Sequence, residues 1–227
     1  MIGKGAMAEV IEYGKDKVCK LFYEDCSEEF IKLEYKNAIE MYKNNITIPK
    51  PFEIINLQNR KGIIYERIYG KTLSHFLNGD NKNKMLELFV DLHRNMLSHH
   101  SKNMLSYKEV IKKILNRSSN KNHDFIKQIN MLPDGTNICH GDLHPKNIII
   151  KSDGTAVIID FTSACCGPFL CDIARTFFIL NTDNNSFLAN EYLEKMNVLE
   201  TDIKEYINVF EKLHKYEKLI GKANIKK

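Results

Sequence analysis

Two short segments in the second half of the chain limit its possible folds more than any other feature: HGDLHPKN at residues 140–147 and IDF at residues 159–161. Apolar residues follow the first segment and precede the second, and the turn residues Ser152, Asp153 and Gly154 lie between them. This order is typical of two short strands joined as a hairpin. The polar residues of both segments then stand at the ends of two adjacent strands.

The side chains at these strand ends are suited to hold a hard cation beside a reacting hydroxyl group. Asn147 and Asp160 offer amide and carboxylate oxygens, the ligand type that Mg²⁺ prefers, and the hairpin lets both face one ion. Asp142 precedes them and would orient and deprotonate a hydroxyl group, as phosphoryl transfer requires. The plain alternative is that these residues only cap loops. Their occurrence together, in this order, favours the site.

The first third of the chain is predicted to be mostly strand. Small or apolar residues alternate with polar ones at 7–13, and three further strands are predicted at 17–22, 52–56 and 62–68. A turn at 59–62 is predicted between the last two strands.

One helix is predicted within this region. Ser27 is a good N-cap, and acidic residues follow it in the first turn, so the helix would begin there and end near Asn44. The residues predicted to be buried along it are Phe30, Ile31, Tyr35, Ala38, Ile39 and Tyr42.

The N-terminal segment contains a pattern that suits phosphate binding, Gly3-x-Gly5-x-x-Ala8-x-Val10. Small residues let backbone amides approach the phosphates of a nucleotide. Only two residues precede Gly3, so the first strand is predicted to be nearly absent and the glycine loop to be poorly anchored.

Lys20 on the next strand would contact the same phosphates, and a carboxylate of the following helix would orient it. Glu34 is the predicted partner. Glu28, Glu29 and Glu40 are alternative partners. The simplest explanation of all four glutamates is that they are charges on the solvated face of a helix.

After Gly70 the periodicity becomes helical, apart from the hairpin around residue 150. Thr72 is predicted to begin a short helix that ends near Gly79. The sequence therefore predicts an α+β fold with an antiparallel-sheet lobe at 1–69 and a mainly helical lobe at 70–227.

Composition narrows the class of protein further. A hydrophobic fraction of 43% and a charged fraction of 27% are ordinary for a globular chain of 227 residues. A net charge of +4 gives no indication of nucleic-acid binding. No apolar run is long enough to span a membrane, and no secretory signal is recognisable, so a cytoplasmic protein is expected. The six cysteines lack metal-site spacing and are predicted to be free thiols, mostly buried.

With these motifs identified, the chain resembles the aminoglycoside phosphotransferase and choline kinase superfamily, which has a protein-kinase-like bilobal fold. It is most similar to small bacterial members with a Y-E-R-I-x-G segment, here 65–70, and an L-P-x-G-x-x-x-C-H-G-D-x-H-P-x-N segment, here 132–147. The resemblance covers nearly the whole chain. It implies an ATP-dependent phosphotransferase that requires Mg²⁺ and acts on a hydroxyl group of a small molecule.

The resemblance also implies a role for individual residues. Asp142 would be the catalytic base, and Asn147 and Asp160 would bind Mg²⁺. Lys20, paired with Glu34, would hold the α- and β-phosphates. The remaining nucleotide contacts would come from the glycine loop, from the backbone of the segment after the last N-lobe strand, and from four apolar side chains around adenine: Gly3, Gly5, Glu66, Arg67, Ile68, Val10, Val18, Ile149 and Ile159.

Three other residues near these motifs are expected to have structural roles. Asp172 is expected to hydrogen-bond the loop that contains Asp142. His140 is expected to structure that loop, and His93 to be packed within a helix. Thr162 stands where many kinases have a glycine after the Asp-Phe pair, and this change is not expected to inactivate the protein.

Several alternatives concern the acceptor. The short interval between Asp160 and Asp172 leaves little room for the peptide-docking segment of a protein kinase, which favours a small molecule. An aminoglycoside acceptor is disfavoured because residues 71–227 contain 22 basic and 18 acidic residues, whereas polycationic drugs need an acidic pocket. A nucleotide-binding pseudokinase that acts through partners is the alternative outside catalysis. A monomer or weak dimer is expected.

Overall fold

The computed structural model describes residues 1–77, 81–116, 123–182 and 186–224. Within these residues there are ten strands: β1 (Gly3–Lys4), β2 (Ala8–Glu12), β3 (Lys17–Phe22), β4 (Pro51–Leu57), β5 (Arg60–Glu66), β6 (Lys71–Thr72), β7 (Asn137–Cys139), β8 (Ile148–Ile150), β9 (Ala156–Ile158) and β10 (Cys165–Gly167). They also form seven α-helices: α1 (Glu28–Lys43), α2 (Lys82–Leu97), α3 (Tyr107–Asn116), α4 (His123–Met131), α5 (Phe169–Thr182), α6 (Ser186–Met196) and α7 (Glu200–Asn224). The predicted α+β class is confirmed.

By packing, the chain divides into two compact units. The first contains Met1–Leu88 and Pro145–Ala164, and the second contains Phe89–His144 and Cys165–Lys227. The hairpin β8–β9 belongs to the first unit, where β8 also pairs with β6. The predicted lobes, 1–69 and 70–227, divide the chain at a different place and stay a prediction.

The first unit is built on an antiparallel sheet with the strand order β1-β2-β3-β5-β4. Side chains along β3 alternate between its two faces. Cys19 and Leu21 pack with Ile64 in a buried apolar cluster on one face. Val18 and Lys20 therefore point to the opposite face.

The connection between β4 and β5 is tighter than the sequence indicated. Gln58 and Asn59 both have positive φ, 51° and 63°, and form a two-residue hairpin turn. The predicted turn at 59–62 began too late, because Arg60, Lys61 and Gly62 are already paired with β4.

Helix α1 begins and ends as predicted, but part of its buried face was assigned wrongly. Ser27 caps the helix by accepting a hydrogen bond from the backbone N–H of Phe30 at 3.3 Å. The buried residues are Ile31, Glu34, Asn37, Ala38 and Met41. Tyr42, predicted to be buried, is 43% exposed. Two of these residues are polar and have partners: Glu34 pairs with Lys20, and Asn37 donates to the backbone oxygens of Phe161 and Ala164, at 3.3 and 2.8 Å.

Helices dominate the second unit, and α5 packs against both α6 and α7. Strand β7 ends at Cys139, and a loop separates it from β8, which begins at Ile148 and forms the first strand of the predicted hairpin. Strand β7 pairs with β10, which the sequence did not predict, and Cys139 lies opposite Cys165. All six cysteines are free thiols, and Cys26 is the one that is not fully buried.

Two further predictions concern the described helices. A 3-10 helix at Leu73–Phe76 follows Thr72 as predicted, while its predicted end near Gly79 lies outside the described residues. No helix in the described part of the chain is long and apolar enough to cross a membrane.

Candidate active site

The first unit contains a cavity of about 340 Å³ next to its sheet. Eleven of the residues predicted to form the site line it: Val10, Val18, Lys20, Glu34, Glu66, Arg67, Ile68, Asn147, Ile149, Ile159 and Asp160. Gly3 and Gly5, also predicted, are not among its lining residues. The cavity is completed by six residues that the sequence did not single out: Ile2, Pro49, Tyr65, Tyr69, Gly70 and Phe161.

The polar part of the cavity is centred on the ammonium group of Lys20. Its Nζ lies 2.7 Å from Oε1 of Glu34 and 2.8 Å from Oδ1 of Asp160. Burial alone would lower the pKa of Lys20, but the two carboxylates outweigh burial and raise it. Lys20 therefore remains a cation at neutral pH. The predicted Lys20–Glu34 pair is present in the structure, and its role towards phosphates stays a prediction.

Thr162 joins this polar group. Its Oγ1 lies 2.7 Å from Oε2 of Glu34 and 2.8 Å from Oδ1 of Asp160. Asp160 has a φ of 69°, in the left-handed region that is uncommon for a residue with a side chain. The turn at Asp160 therefore places its carboxylate beside Lys20 and Thr162.

The apolar part of the cavity is formed by two pairs of side chains. Val10 and Val18 come from neighbouring strands, and Ile149 and Ile159 come from the hairpin β8–β9 and its end. The four were predicted to enclose a flat ring, and they do line one cavity.

The segment after β5 adds backbone groups to the same cavity. The N–H of Arg67 donates to the backbone oxygen of Asp16 at 3.0 Å, and that of Glu66 to Lys50 at 2.9 Å. The N–H of Ile68 has no such bond within the described residues. It is therefore the donor of this segment that a planar ligand can engage.

The glycine loop is better anchored than the sequence suggested. Strand β1 is short, as predicted, but it pairs with β2, and the N–H of Gly5 donates to the oxygen of Ala8 at 2.8 Å. The oxygen of Met7 accepts from the N–H of Tyr23 at 3.0 Å and from the thiol of Cys26 at 3.3 Å. The end of β3 thus supplies the support that was expected to be missing.

Asp142 lies in the second unit, on the loop that follows β7. Its side chain is 39% exposed, and Oδ2 lies 3.8 Å from Nε2 of His144. Its backbone N–H donates to Nδ1 of the buried His140 at 3.3 Å, which fits the predicted structural role of His140.

The same loop is held by helix α5. The carboxylate of Asp172 accepts hydrogen bonds from the backbone N–H groups of His140 and Gly141, both at 2.8 Å, as predicted. Nε of Arg175 donates to the oxygen of Gly141 at 3.1 Å. Gly141 has a φ of 73°, so both sides of this left-handed residue are fixed immediately before Asp142.

Asp172 is part of a buried hydrogen-bonded chain. Nε2 of His93 lies 3.1 Å from Oδ2 of Asp172, and Nδ1 of His93 lies 2.8 Å from the hydroxyl of Tyr192. Burial would raise the pKa of Asp172, but the hydrogen bonds from His93, His140 and Gly141 outweigh it and lower that pKa. The carboxylate is therefore ionised at neutral pH, and His93 is packed inside the unit as predicted.

The donor atoms around the cavity fit a magnesium ion that is shared with a ligand. Asn147 and Asp160 both line the cavity and supply oxygen atoms. Within the described residues no cluster of three or more His, Cys, Asp or Glu side chains could hold a metal by itself. Mg²⁺ usually binds through one or two protein oxygens together with phosphates and water, so the pair is sufficient.

Replacement of Gly70 by alanine is expected to lower the melting temperature by several degrees. A Cβ at this position would collide with the backbone oxygen of Ile150 and would lie 2.8 Å from Cγ2 of Ile149. Overpacking of this kind costs about 1–3 kcal/mol. Thermal denaturation measures the effect, and Gly3→Ala is the matched control because its Cβ would meet nothing nearer than 4.0 Å. Equal melting of the two variants would contradict the prediction.

Comparisons with known proteins give a family model for part of the chain and a shared fold. The family model described as the phosphotransferase enzyme family matches residues 126–198, which include Asp142, Asn147 and Asp160. A search of curated proteins by sequence finds no match.

Solved structures share the fold at low sequence identity. An aminoglycoside-3'-phosphotransferase of type VIII is 12% identical with a TM-score of 0.69, over 93% of this chain and 92% of its own. Choline kinase LicA from Streptococcus pneumoniae is 14% identical with a TM-score of 0.67, over 99% and 85%. Aminoglycoside phosphotransferase APH(3'')-Id from Streptomyces rimosus, solved with ADP and streptomycin, is 15% identical with a TM-score of 0.59, over 86% and 85%. These similarities confirm the predicted protein-kinase-like fold.

Proposed function

Because this chain has the protein-kinase-like fold of the aminoglycoside phosphotransferase and choline kinase superfamily, we propose that it is an ATP-dependent phosphotransferase acting on a hydroxyl group of a small molecule. One observation carries the proposal. A single cavity combines an apolar slot with the largely buried Lys20, whose ammonium group bridges two carboxylates, and Asn147 lines the same cavity. Each part suits one part of a magnesium nucleotide.

Adenine would occupy the apolar slot between the valines of the sheet and the isoleucines of the hairpin β8–β9. The N–H of Ile68 would donate to the ring, and the backbone oxygen of Glu66 would accept from its amino group. Arg67 would contribute backbone alone, because its side chain pairs with Glu12 at 2.9 Å and stacks over Tyr69. Side chains of this segment therefore contribute little to the choice between purines.

Lys20 would bind the α- and β-phosphates, and Glu34 would keep it in position. Asn147 and Asp160 would hold Mg²⁺, which neutralises charge on the phosphates when bound. The Lys20–Asp160 contact must then loosen, because Mg²⁺ and the ammonium group of Lys20 compete for the same carboxylate oxygen. Gly3 and Gly5 would cover the phosphates through backbone amides, although they do not line the cavity in the structure.

Asp142 would act as the general base that accepts the proton of the acceptor hydroxyl. Three features support this role: its partial exposure, the fixed peptide before it, and its position five residues before Asn147 in the chain. Among acceptors, the slight basic excess of residues 71–227 favours an uncharged or weakly charged alcohol over a polycationic aminoglycoside.

Binding of a magnesium nucleotide is expected to raise the melting temperature, and Asp160→Ala is expected to abolish the magnesium-dependent part. A nucleotide at 100 times its Kd would stabilise the wild type by about 2.7 kcal/mol, which corresponds to several degrees. Titrations of ATP and GTP with and without Mg²⁺ measure this shift. Glu53→Ala, which removes an exposed carboxylate of β4, is the control. A wild type that shows no shift with any nucleotide would contradict the proposed function.

A further inference from the structure

Four side chains at the polar end of the cavity form a closed ring of contacts. Lys20 bridges Oε1 of Glu34 and Oδ1 of Asp160 from one side, at 2.7 and 2.8 Å. Oγ1 of Thr162 bridges Oε2 of Glu34 and the same Oδ1 of Asp160 from the other, at 2.7 and 2.8 Å. Thr162 also lies 3.4 Å from Nζ of Lys20. A hydroxyl group thus connects the two carboxylates independently of the lysine.

The two carboxylates depend on this hydroxyl group to different degrees. Glu34 is buried, with 1% of its side chain exposed, so its carboxylate requires hydrogen-bond donors from the protein. Within the described residues the donor recorded for Oε2 is Thr162. Asp160 is 42% exposed, so packing alone does not fix the direction of its carboxylate. Hydrogen bonds must fix that direction.

A threonine hydroxyl has one hydrogen, so it can donate fully to one carboxylate at a time. In the structure Lys20 already donates to Oδ1 of Asp160, and the hydroxyl hydrogen can serve Glu34. When Lys20 turns to phosphates, as proposed above, Asp160 loses that donor. Rotation of the hydroxyl about its C–O bond then supplies a replacement without movement of the backbone, while Lys20 and the hydroxyl of Tyr65 still donate to Oε1 of Glu34.

We propose that Thr162 is a positioning residue that keeps the Asp160 carboxylate directed into the cavity when Lys20 engages a nucleotide. The inference rests on the proposed function and adds a residue to it. It also explains how the site can dispense with a glycine at this place in the sequence. The threonine supplies a hydroxyl group that a glycine lacks, and that group contacts three members of the site.

The test compares ADP binding with and without Mg²⁺ by isothermal titration calorimetry in the wild type, Thr162→Val and Thr162→Ser. Valine keeps the shape of the side chain and removes the hydroxyl, and serine keeps the hydroxyl. We expect Thr162→Val to reduce the magnesium-dependent gain in ADP affinity about tenfold, as the loss of a hydrogen bond to a charged group does. We expect metal-free ADP affinity to stay within about threefold, and Thr162→Ser to restore the gain.

The outcomes separate this inference from the proposed function. If the wild type gains ADP affinity with Mg²⁺ and Thr162→Val gains as much, Thr162 does not position Asp160 and the inference is wrong. Equal losses of ADP affinity with and without Mg²⁺ in Thr162→Val would show a purely structural role for Thr162 and would overturn the inference as well. A wild type without any gain would overturn the metal site itself. Thr162→Ala provides a second hydroxyl-free variant if the valine variant does not fold.

Discussion

Asp142→Asn is expected to reduce turnover about a thousandfold and to leave nucleotide binding almost unchanged. General-base catalysis contributes roughly 10²–10⁴-fold, and asparagine keeps the size of aspartate but cannot accept the proton of the acceptor. Asp142 does not line the cavity proposed to bind the nucleotide, so ADP affinity should not depend on its charge. The measurement is ADP release in a panel of amino alcohols, sugars and aminoglycosides, together with ADP affinity for each variant.

Asp91→Asn is the matched control for this experiment, because Asp91 carries the same group on an exposed helix surface with 74% of its side chain accessible. Its turnover should equal that of the wild type. If Asp142→Asn kept full turnover, Asp142 would not be the base. If the wild type bound magnesium nucleotide but phosphorylated nothing in the panel and hydrolysed no ATP, the pseudokinase alternative would gain support.

The sequence predicted the parts of the site that depend on local pattern. Lys20 lies on a strand predicted directly after the glycine pattern, and Glu34 is the acidic residue of α1 that shares the buried face with Ile31 and Ala38. Asn147 and Asp160 follow from the hairpin between them. The prediction of these features requires only the periodicity of a strand or helix and the position of a turn, and both can be recognised in a single sequence.

The remaining features depend on contacts between distant segments. Tyr42 was assigned to the buried face of α1 because it is apolar, whereas Asn37 takes part in that face through hydrogen bonds to residues more than 120 positions away. The support of the glycine loop by Tyr23 and Cys26 also arises from tertiary pairing. Thr162 was recognised as a departure from a motif, but its contacts with two carboxylates have no local signal.

Six residues that line the cavity were not predicted, for more than one reason. Tyr65, Tyr69 and Gly70 belong to the quoted segment at 65–70, whose resemblance could have identified them. Tyr65 is buried and its hydroxyl lies 3.4 Å from Oε1 of Glu34, so a strand residue that suggests core packing also touches the polar group. Ile2 lines the cavity because β1 pairs with β2, which two residues of strand do not predict.

Asp172→Ala is expected to destabilise the protein by about 3–5 kcal/mol, because it leaves three buried donors without their acceptor. The donors are the backbone N–H groups of His140 and Gly141 and the ring of His93, and the carboxylate is 1% exposed. At about 2–4 °C per kcal/mol for a chain of this length, the melting temperature should fall by roughly 10 °C. Thermal and urea denaturation measure the change, and Asp91→Ala should melt within about a degree of the wild type.

The pH dependence of stability shows whether Asp172 acts through its negative charge or only by filling space. The pKa of Asp172 is lowered from its ordinary value of 3.8, so its ionised form stabilises the folded state. That stability is fully present above the unfolded pKa and is lost as the pH falls through the folded pKa. The difference in free energy of unfolding between wild type and Asp172→Asn should therefore be constant from pH 5 to 7, by this linkage, and shrink below about pH 4. A difference that stayed constant into acid would show that the negative charge of Asp172 does not hold the loop before Asp142.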